Sequence, residues 1–296
     1  MIASARPPHT VRELLAYGIE RFERAGVSFG HGTSNALDEA AWLVLHSLGH
    51  PLDELDPHLD EPLTGAQYRA AKSLIDMRVR TRKPAAYLTH EAWLGKHRFY
   101  VDERVIVPRS FIAELLRGEA PGGSLRGLSP KSVLDLCTGS GCLAILAALE
   151  WPRAKVDAAD LSEDALAVAR RNVADYELAR RVRLVKSDLF SALATRRYDL
   201  IVSNPPYVKA SSMRKLPDEY RKEPGIALAS GVDGLEHTRR ILAQAREHLN
   251  PGGTLVVEIG HNRAALERAF PKLPFQWPRV AAGPGYVFSI AREQLP

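Results

Sequence analysis

Short apolar stretches alternate with longer amphipathic segments along the chain from residue 131 onward. Such an alternation is typical of strands that are joined by helices in a parallel sheet. The pattern predicts strands at residues 132–136, 155–160, 182–186, 199–203, 254–259 and 286–291. Helical patterns lie between most of them, for example at 162–176 and 234–249. We therefore predict an α/β fold with a doubly wound, mostly parallel sheet.

The last two predicted extended segments, 279–282 and 286–291, are separated only by Gly283-Pro284-Gly285. So short a loop permits an antiparallel return but no parallel crossover. We expect these two segments to pair with each other, and the last strand of the sheet to be antiparallel.

Helical periodicity dominates the first third of the chain. One amphipathic segment follows Thr10, a second covers 35–48, and a third begins after Thr64, a favourable N-cap residue. Pro84 ends the third helix, and residues 87–107 then look extended, as in a β-hairpin. The pattern predicts an N-terminal helical domain, a β-hairpin linker and an α/β domain at 1–84, 85–107 and 108–296.

Composition places the chain among ordinary globular proteins. Its 296 residues are 45% hydrophobic and 25% charged, and this length allows two hydrophobic cores. Residues 1–10 lack the apolar core of a signal peptide, and no apolar stretch is long enough to span a bilayer. The two cysteines, Cys137 and Cys142, match no zinc or redox spacing. We expect a cytoplasmic protein that does not associate with membranes.

Two bulk properties bear on partners. The net charge of +5 mildly favours an acidic partner, such as a particle that contains nucleic acid, and leaves direct nucleic-acid binding open. The ten histidines are scattered and show no metal-ligand spacing, so we predict no metal site.

The segment Asn204-Pro205-Pro206-Tyr207 directly follows the predicted strand at 199–203. It lies beyond the carboxyl end of a strand, where open α/β sheets bind their ligands. The Asn204 side-chain oxygen and the Pro205 carbonyl can accept hydrogen bonds from one planar NH2 group, on which Tyr207 can stack. Two such acceptors direct the nitrogen lone pair, so the segment predicts methyl transfer to an NH2 group. The simpler alternative is a turn that only ends the strand.

A glycine-rich turn follows the predicted strand at 132–136 and contains Asp135, Thr138, Gly139 and Gly141. The glycines let the backbone approach a ligand, and the helix that follows offers free N–H groups to an anion. An aspartate would repel a pyrophosphate, and the third glycine of a dinucleotide fingerprint is absent. The turn instead suits a cofactor with a carboxylate and a cationic group.

Two further acids follow the next two predicted strands. Asp160 is placed to accept hydrogen bonds from ribose hydroxyls, and Asp188 from an adenine amino group beside the Leu189 N–H. Taken singly, each acid is more simply explained as a helix cap. Together with the glycine-rich turn and with Asn204, they predict a binding site for S-adenosyl-L-methionine.

These motifs resemble those of a known family. The Asp-x-x-x-Gly-x-Gly turn, Asp160 and the Asn-Pro-Pro-Tyr segment resemble class I (Rossmann-like) S-adenosylmethionine-dependent methyltransferases that act on nitrogen. The hairpin that ends in Val107-Pro108-Arg109 and the helical N-terminal domain narrow the resemblance to protein-(glutamine-N5) methyltransferases of the HemK/Prm type. The resemblance covers nearly the whole chain. It implies transfer of a methyl group to the side-chain amide nitrogen of glutamine, and an N-terminal domain that recognises the substrate.

Within that family, the chain looks like the branch that methylates a glutamine of the third large-subunit ribosomal protein. The likeness rests on Val107-Pro108-Arg109-Ser110 and on the segments 216–224, 228–231 and 233–235. It implies a ribosomal protein as partner, free or on assembling ribosomes. There is one departure, because Leu189 stands where some release-factor enzymes place a tryptophan against adenine.

Other functions stay open from the residues themselves. The second branch of the family methylates the Gly-Gly-Gln glutamine of release factors. A DNA adenine-N6 methyltransferase would also grip an NH2 group, although no target-reading insert follows the Asn204 segment. A non-catalytic ribosome-assembly factor would differ from these by showing no turnover of the cofactor.

Several roles are ambiguous in the sequence. Arg109 can position a ligand or pair with an acid, and Glu258 can line the pocket or serve a structural hydrogen bond. The basic end of the third helix either complements the helix dipole or faces RNA or substrate; its cations are Arg78, Arg80, Arg82 and Lys83.

Overall fold

The computed structural model describes residues 9–120, 125, 127–193 and 195–296. The expectation about a signal peptide therefore falls largely on residues 1–8, outside the described part. The chain forms two compact units. The first contains the described residues up to Ala92 together with Pro217–Lys222, and the second contains Trp93–Leu216 and Glu223–Pro296. No helix among the described residues is both long and apolar enough to cross a membrane.

The first unit is helical, as the periodicity predicts. Its elements are β1 (His9–Thr10), α1 (Val11–Arg24), α2 (Ala36–Leu48), a 3₁₀ turn (Asp56–His58), β2 (Pro62–Leu63), α3 (Gly65–Thr81) and α4 (Ala85–Thr89). Thr64 caps α3 in a capping box with Gln67, which confirms the predicted start of that helix. The expectation that residues 87–107 are extended is wrong at its beginning, because α4 includes 87–89.

At the basic end of α3, Arg78 is buried, whereas Arg80 is exposed. The Arg78 side chain is 1% exposed and pairs with both Glu39 and Glu219, and it also donates to the Ser28 carbonyl at 3.0 Å. Arg82 donates to Glu219 Oε1 at 3.2 Å. Arg78 and Arg82 are therefore engaged by acids and carbonyls within the first unit.

The second unit begins with a short hairpin and is built on one central sheet. Its elements are β3 (Ala92–Leu94, which starts at the unit boundary), β4 (His97–Phe99), α5 (Ile112–Leu116), β5 (Ser132–Leu136), α6 (Cys142–Glu150), β6 (Lys155–Asp160), α7 (Glu163–Asp175), β7 (Val182–Lys186), β8 (Tyr198–Ser203), α8 (Ala210–Met213), α9 (Glu236–Gln244), β9 (Leu249–Glu258), α10 (Arg263–Ala269), β10 (Arg279–Val280), β11 (Gly283–Pro284) and β12 (Val287–Ala291). Within the described residues the sheet has six strands in the order β12-β9-β8-β5-β6-β7.

Strand direction confirms a doubly wound sheet with an antiparallel last strand. β5 pairs in parallel with β6 on one side and with β8 on the other, and β9 continues in parallel beside β8. Only β12 runs antiparallel, against β9. The chain reverses its direction of winding at β5, so a crevice opens beyond the carboxyl ends of β5 and β8.

Neighbouring residues of the central strands pack on opposite faces of the sheet. Val133 packs in a cluster with Ile145 of α6, whereas Leu134 packs in a second cluster with Ile241 of α9. Both faces are therefore covered, which explains why the strands are apolar at successive positions.

The predicted pairing of the last two extended segments is wrong. β10 pairs with β11 instead, within the turn, and β12 pairs with β9. Just before the segment 279–282, Gln276 forms an isolated antiparallel bridge with Ser289 of β12. The predicted helix at 234–249 is also too long, since α9 ends at Gln244 and residue 249 already begins β9.

Candidate active site

Polar side chains and the backbone of a glycine-rich turn lie at the carboxyl ends of neighbouring strands. The turn after β5 carries Gly139, β6 ends in Asp160, and Asp188 follows β7. Asn204 follows β8, and β9 ends in Glu258. Because these strands are parallel neighbours, residues far apart in sequence meet at one edge of the sheet.

Asp135 is a fully buried carboxylate under the glycine-rich turn. Its Oδ2 accepts hydrogen bonds from Thr138 Oγ1 at 2.5 Å and from the Ala144 N–H at 3.1 Å. The second bond caps α6, whose own N-cap residue, Gly141, has no side chain to do so. Oδ1 has no hydrogen-bond partner within the described part of the chain. Burial raises the pKa of Asp135 to about 7.

The turn after β5 has a left-handed backbone at three positions. Gly139 and Gly141 have φ values of +54° and +80°, and a Cβ on Gly141 would lie 3.2 Å from the Ala169 Cβ. Cys137 has a φ of +58°, which is uncommon for a residue with a side chain. The turn is therefore held in a specific shape that brings its backbone to the pocket.

Asp160 links the turn to the neighbouring strand. Its Oδ2 accepts from the Gly139 N–H at 2.8 Å, and its Oδ1 accepts from the Ser162 N–H at 2.9 Å. Burial raises its pKa above the usual value. The acid thus fixes the glycine turn and still has lone pairs to offer to a ligand.

Asp188 and Leu189 form the far side of the pocket. Asp188 is half exposed and accepts from Arg240 Nη2 at 2.8 Å, a hydrogen bond that lowers the pKa of Asp188. Leu189 is buried with a φ of +49°, so its backbone is held in the left-handed region. The sequence analysis did not predict the pairing with Arg240, which lies 52 positions further on.

Asn204 presents a buried acceptor. Its Oδ1 is buried and has no hydrogen-bond partner among the residues that the structure describes. A buried amide oxygen without a partner costs about 1–3 kcal/mol. Such a cost is reasonable where a ligand is expected to supply the missing donor.

Tyr207 is fixed by contacts on several sides. Its hydroxyl donates to Glu258 Oε1 at 3.3 Å, and its carbonyl accepts from Asn262 Nδ2 at 2.8 Å. A Cβ on Gly260 would lie 2.7 Å from the ring, so this glycine makes room for the tyrosine. Burial raises the pKa of the Tyr207 hydroxyl well above its usual range.

Glu258 connects Tyr207 to the segment after residue 107. Its Oε2 accepts from Ser110 Oγ at 2.7 Å and from the Phe111 N–H at 2.9 Å. Burial raises the pKa of the Glu258 carboxyl to about 7. Of the two roles left open by the sequence, the structural hydrogen bond is the one observed.

Arg109 forms a two-pronged ion pair with Glu223. Its Nη1 and Nη2 lie 2.5 Å and 2.6 Å from the two carboxylate oxygens, and the Val107 N–H also donates to Glu223 Oε1 at 2.9 Å. Arg109 therefore pairs with an acid. The acid belongs to the segment 216–224 that suggested the ribosomal-protein branch.

A pocket lies at the edge where these residues meet. Of the predicted residues, it is lined by Gly139, Asp160, Asp188, Leu189, Asn204 and Pro206. Asp135, Thr138, Gly141, Pro205 and Tyr207 are not among its lining residues. The sequence analysis missed several residues that do line it, notably Arg104, Val105, Ile106, Leu161, Ile226 and His237. Leu161 and Ile226 are apolar but more than half exposed, and their place in the pocket cannot be recognised from the sequence alone.

The donor set fits a zwitterionic nucleoside cofactor. The pocket combines two carboxylates with apolar side chains, while Arg104, which also lines it, is paired with Asp102. The unpartnered Asp135 Oδ1 lies buried behind the glycine turn. Carboxylates accept ribose and amino hydrogens and favour a cation, whereas they disfavour a pyrophosphate.

Comparisons with known proteins agree with this geometry. The family "Methyltransferase small domain" matches residues 124–217. The crystal structure of the hMettl16 catalytic domain in complex with MAT2A 3′UTR hairpin 1 aligns with a TM-score of 0.51 over 86% of this chain and 91% of that chain. Its sequence identity is 16%, so it supports the fold alone. Fold and family together define a Rossmann-like methyltransferase.

Curated relatives narrow the family further. A ribosomal protein uL3 glutamine methyltransferase from Neisseria meningitidis serogroup B is 54% identical over 97% of this chain and 94% of the relative. One from Burkholderia pseudomallei is 51% identical over 100% of this chain and 99% of the relative. The chain belongs to the family of ribosomal protein uL3 glutamine methyltransferases, which confirms the branch expected from its motifs.

Proposed function

We propose that this protein transfers a methyl group from S-adenosyl-L-methionine to the side-chain amide nitrogen (N5) of a glutamine in uL3, the third large-subunit ribosomal protein. The observation that carries the proposal is the buried, unpartnered Asn204 Oδ1 at the wall of the pocket. An NH2 group of the substrate would satisfy this oxygen. The names of the relatives support glutamine and uL3 as the acceptor.

The cofactor would be held at the carboxyl ends of β5, β6 and β7. Asp160 would accept from the ribose hydroxyls, and Asp188 with the Leu189 N–H would bind adenine. The Gly139 turn would meet the amino-acid end of the cofactor, and the negative charge of Asp135 behind it would favour the cationic group. When bound, S-adenosyl-L-methionine supplies a methyl group on a positively charged sulfur.

The protein's own contribution is orientation. Asn204 Oδ1 and the Pro205 carbonyl would accept the two amide hydrogens of the glutamine and aim its nitrogen lone pair, while Tyr207 covers the amide. The methylated amide loses a proton after transfer, so a base is not needed beforehand. Orientation of this kind contributes up to about 7–11 kcal/mol to lowering a barrier.

We further propose that the protein acts in the cytoplasm on uL3 that is joining an assembling ribosome. The net charge of +5 supports such a particle as partner, since ribosomal RNA is anionic. The direct test is transfer of labelled methyl from S-adenosyl-L-methionine to unmethylated uL3, alone and on precursor particles. Release factor and DNA serve as parallel acceptors. We expect label on a uL3 glutamine; label on release factor alone, or on DNA alone, would overturn the substrate.

The role of Asn204 is tested by Asn204→Ala, with cofactor affinity measured separately by calorimetry. We expect turnover to fall by about 100-fold or more, with cofactor affinity little changed, because the lost contact acts on the transferring nitrogen. Asn250→Ala is a matched control, since Asn250 bonds to Asp199 at the opposite end of β8. Normal turnover of Asn204→Ala would reject the assignment.

A further inference from the structure

Two histidines and a glutamate converge in the first unit. His50 Nε2 and His58 Nδ1 each lie 2.9 Å from the same oxygen, Glu61 Oε2. The two imidazole rings stack with their centroids 3.7 Å apart and their planes 13° from parallel. The three ligating atoms all lie within 4.8 Å of one another. The structure thus brings together a group that the spacing of the histidines did not predict.

The surroundings of this group favour a cation. In the described part of the chain no lysine or arginine is paired with Glu61, whose partners are the two imidazoles. The segment 51–61 contains no lysine or arginine but five acids, which are Asp53, Glu54, Asp56, Asp60 and Glu61. Of these, Asp60 pairs with Arg12. Within the described residues, the Glu61 carboxylate is therefore paired only with imidazoles, in a segment rich in acids.

We infer that His50, His58 and Glu61 form a Zn²⁺ site. Two imidazole nitrogens and one carboxylate oxygen are a ligand set that zinc prefers, with water at a fourth position. Bonds of about 2.0–2.1 Å place tetrahedral ligand atoms roughly 3.4 Å apart. The two 2.9 Å contacts therefore need to widen by only about half an ångström when the shared protons are replaced by the metal.

The ligands are accessible as well as held in place. Their side chains are between 22% and 31% exposed, so a hydrated ion reaches them from solvent. His50 follows the end of α2, and His58 ends the 3₁₀ turn at Asp56–His58. Nitrogen ligands discriminate against Mg²⁺ and Ca²⁺, which prefer oxygen alone. The site therefore selects zinc over these more abundant cations.

The consequence is a metal cross-link between the two ends of the segment 50–61. Binding to the folded state alone raises the thermal midpoint of unfolding. This site lies outside the methyltransferase pocket, and it stands whether or not the proposed reaction is correct.

The test is calorimetric titration of the full-length, chelator-treated and tag-free protein with Zn²⁺, with Mg²⁺ titrated in parallel. We expect one equivalent of saturable Zn²⁺ binding and no binding of Mg²⁺. Thermal unfolding should shift upward with zinc.

His58→Ala and the isosteric Glu61→Gln identify the ligands. Each should lower zinc affinity about tenfold or more. His46→Ala is the matched control, because His46 forms a single imidazole–carboxylate pair with Glu91 in the same unit, at 3.0 Å. Circular dichroism confirms that each variant is folded. The inference is overturned by the absence of stoichiometric zinc binding, or by binding that survives both substitutions or is lost equally in His46→Ala.

Discussion

The Tyr207 hydroxyl donates a hydrogen bond to Oε1 of Glu258, while Oε2 of the same carboxylate accepts hydrogen bonds from the Ser110 hydroxyl and the Phe111 N–H. One buried acid therefore holds both the tyrosine of the Asn-Pro-Pro-Tyr segment and the segment after the hairpin. Truncating it would release two parts of the site at once. The geometry makes Glu258 a positioning residue for Tyr207, with no contact to the reacting atoms required.

The raised pKa of Glu258 predicts a pH dependence of stability. The pKa rises from an ordinary 4.5 to about 7 on folding, so the folded state retains a proton that the unfolded state releases. The resulting stabilisation is complete below about pH 4.5 and is lost as the pH rises through about 7, amounting to about 3 kcal/mol. Glu258→Gln should flatten this part of the pH profile of urea unfolding. An unchanged profile would mean that other groups, such as Asp135, account for it.

Gly260→Ala should disturb Tyr207 directly. The added Cβ would lie 2.7 Å from the tyrosine ring, and the φ of +54° is itself unfavourable for alanine. We expect a loss of about 1–3 kcal/mol in the free energy of unfolding and a lower turnover. Gly252→Ala separates the backbone strain from the clash with the ring, because Gly252 has a φ of +75° but no neighbour within 4 Å. Equal losses of turnover in both variants would contradict the role of Tyr207.

Arg109→Ala should destabilise the second unit strongly. It would remove the two-pronged ion pair with Arg109 from the Glu223 carboxylate, whose side chain is 0% exposed. Removing one partner of a buried pair costs about 3–5 kcal/mol, and the partial exposure of Arg109 places the loss near the lower end. Chemical denaturation provides the measurement. Arg263→Ala is the comparison, because its pair with Glu267 is exposed and should contribute less than about 1 kcal/mol.

Asp188→Asn should weaken cofactor binding and leave methyl transfer at saturation nearly unchanged. The Asp188 carboxylate is proposed to contact adenine, far from the reacting methyl group. Loss of a hydrogen bond to a charged acceptor predicts about a tenfold rise in Kd. Calorimetry with S-adenosylhomocysteine measures the affinity. A large fall in turnover at saturating cofactor would contradict this assignment and indicate that Asp188 contributes to methyl transfer itself.

The central sheet could be predicted because its signal is local. Residues of the inner strands, such as Val133 and Leu134, are apolar at successive positions since both faces are covered. The same locality explains why the sequence could place Asn204, which directly follows its strand, at the edge of the sheet where the pocket lies. Polar residues at the ends of successive strands meet as a consequence of parallel pairing alone.

The errors and omissions arise where distant contacts decide the structure. Residues 87–89 have strand-like side chains but lie in α4. The pairing of β12 with β9, rather than with 279–282, satisfies an open edge of the sheet that no local pattern reveals. Arg109 and Glu223 are 114 positions apart, and His50 and His58 meet only because the segment between α2 and α3 folds back. None of these contacts has a spacing that sequence periodicity can report.

The pairing of Arg78 with Glu219 has a consequence for synthesis of the chain. The first unit is discontinuous, since Pro217–Lys222 belongs to it although the rest ends at Ala92. On the ribosome, Arg78 acquires its second carboxylate only after a further stretch of chain has been translated. Glu219 lies 141 positions after Arg78, and at about 5–20 residues per second this stretch takes roughly 7–28 s to translate. Until most of the second unit has been made, Arg78 and Arg82 of the nascent first unit therefore lack the Glu219 carboxylate with which they pair in the folded protein.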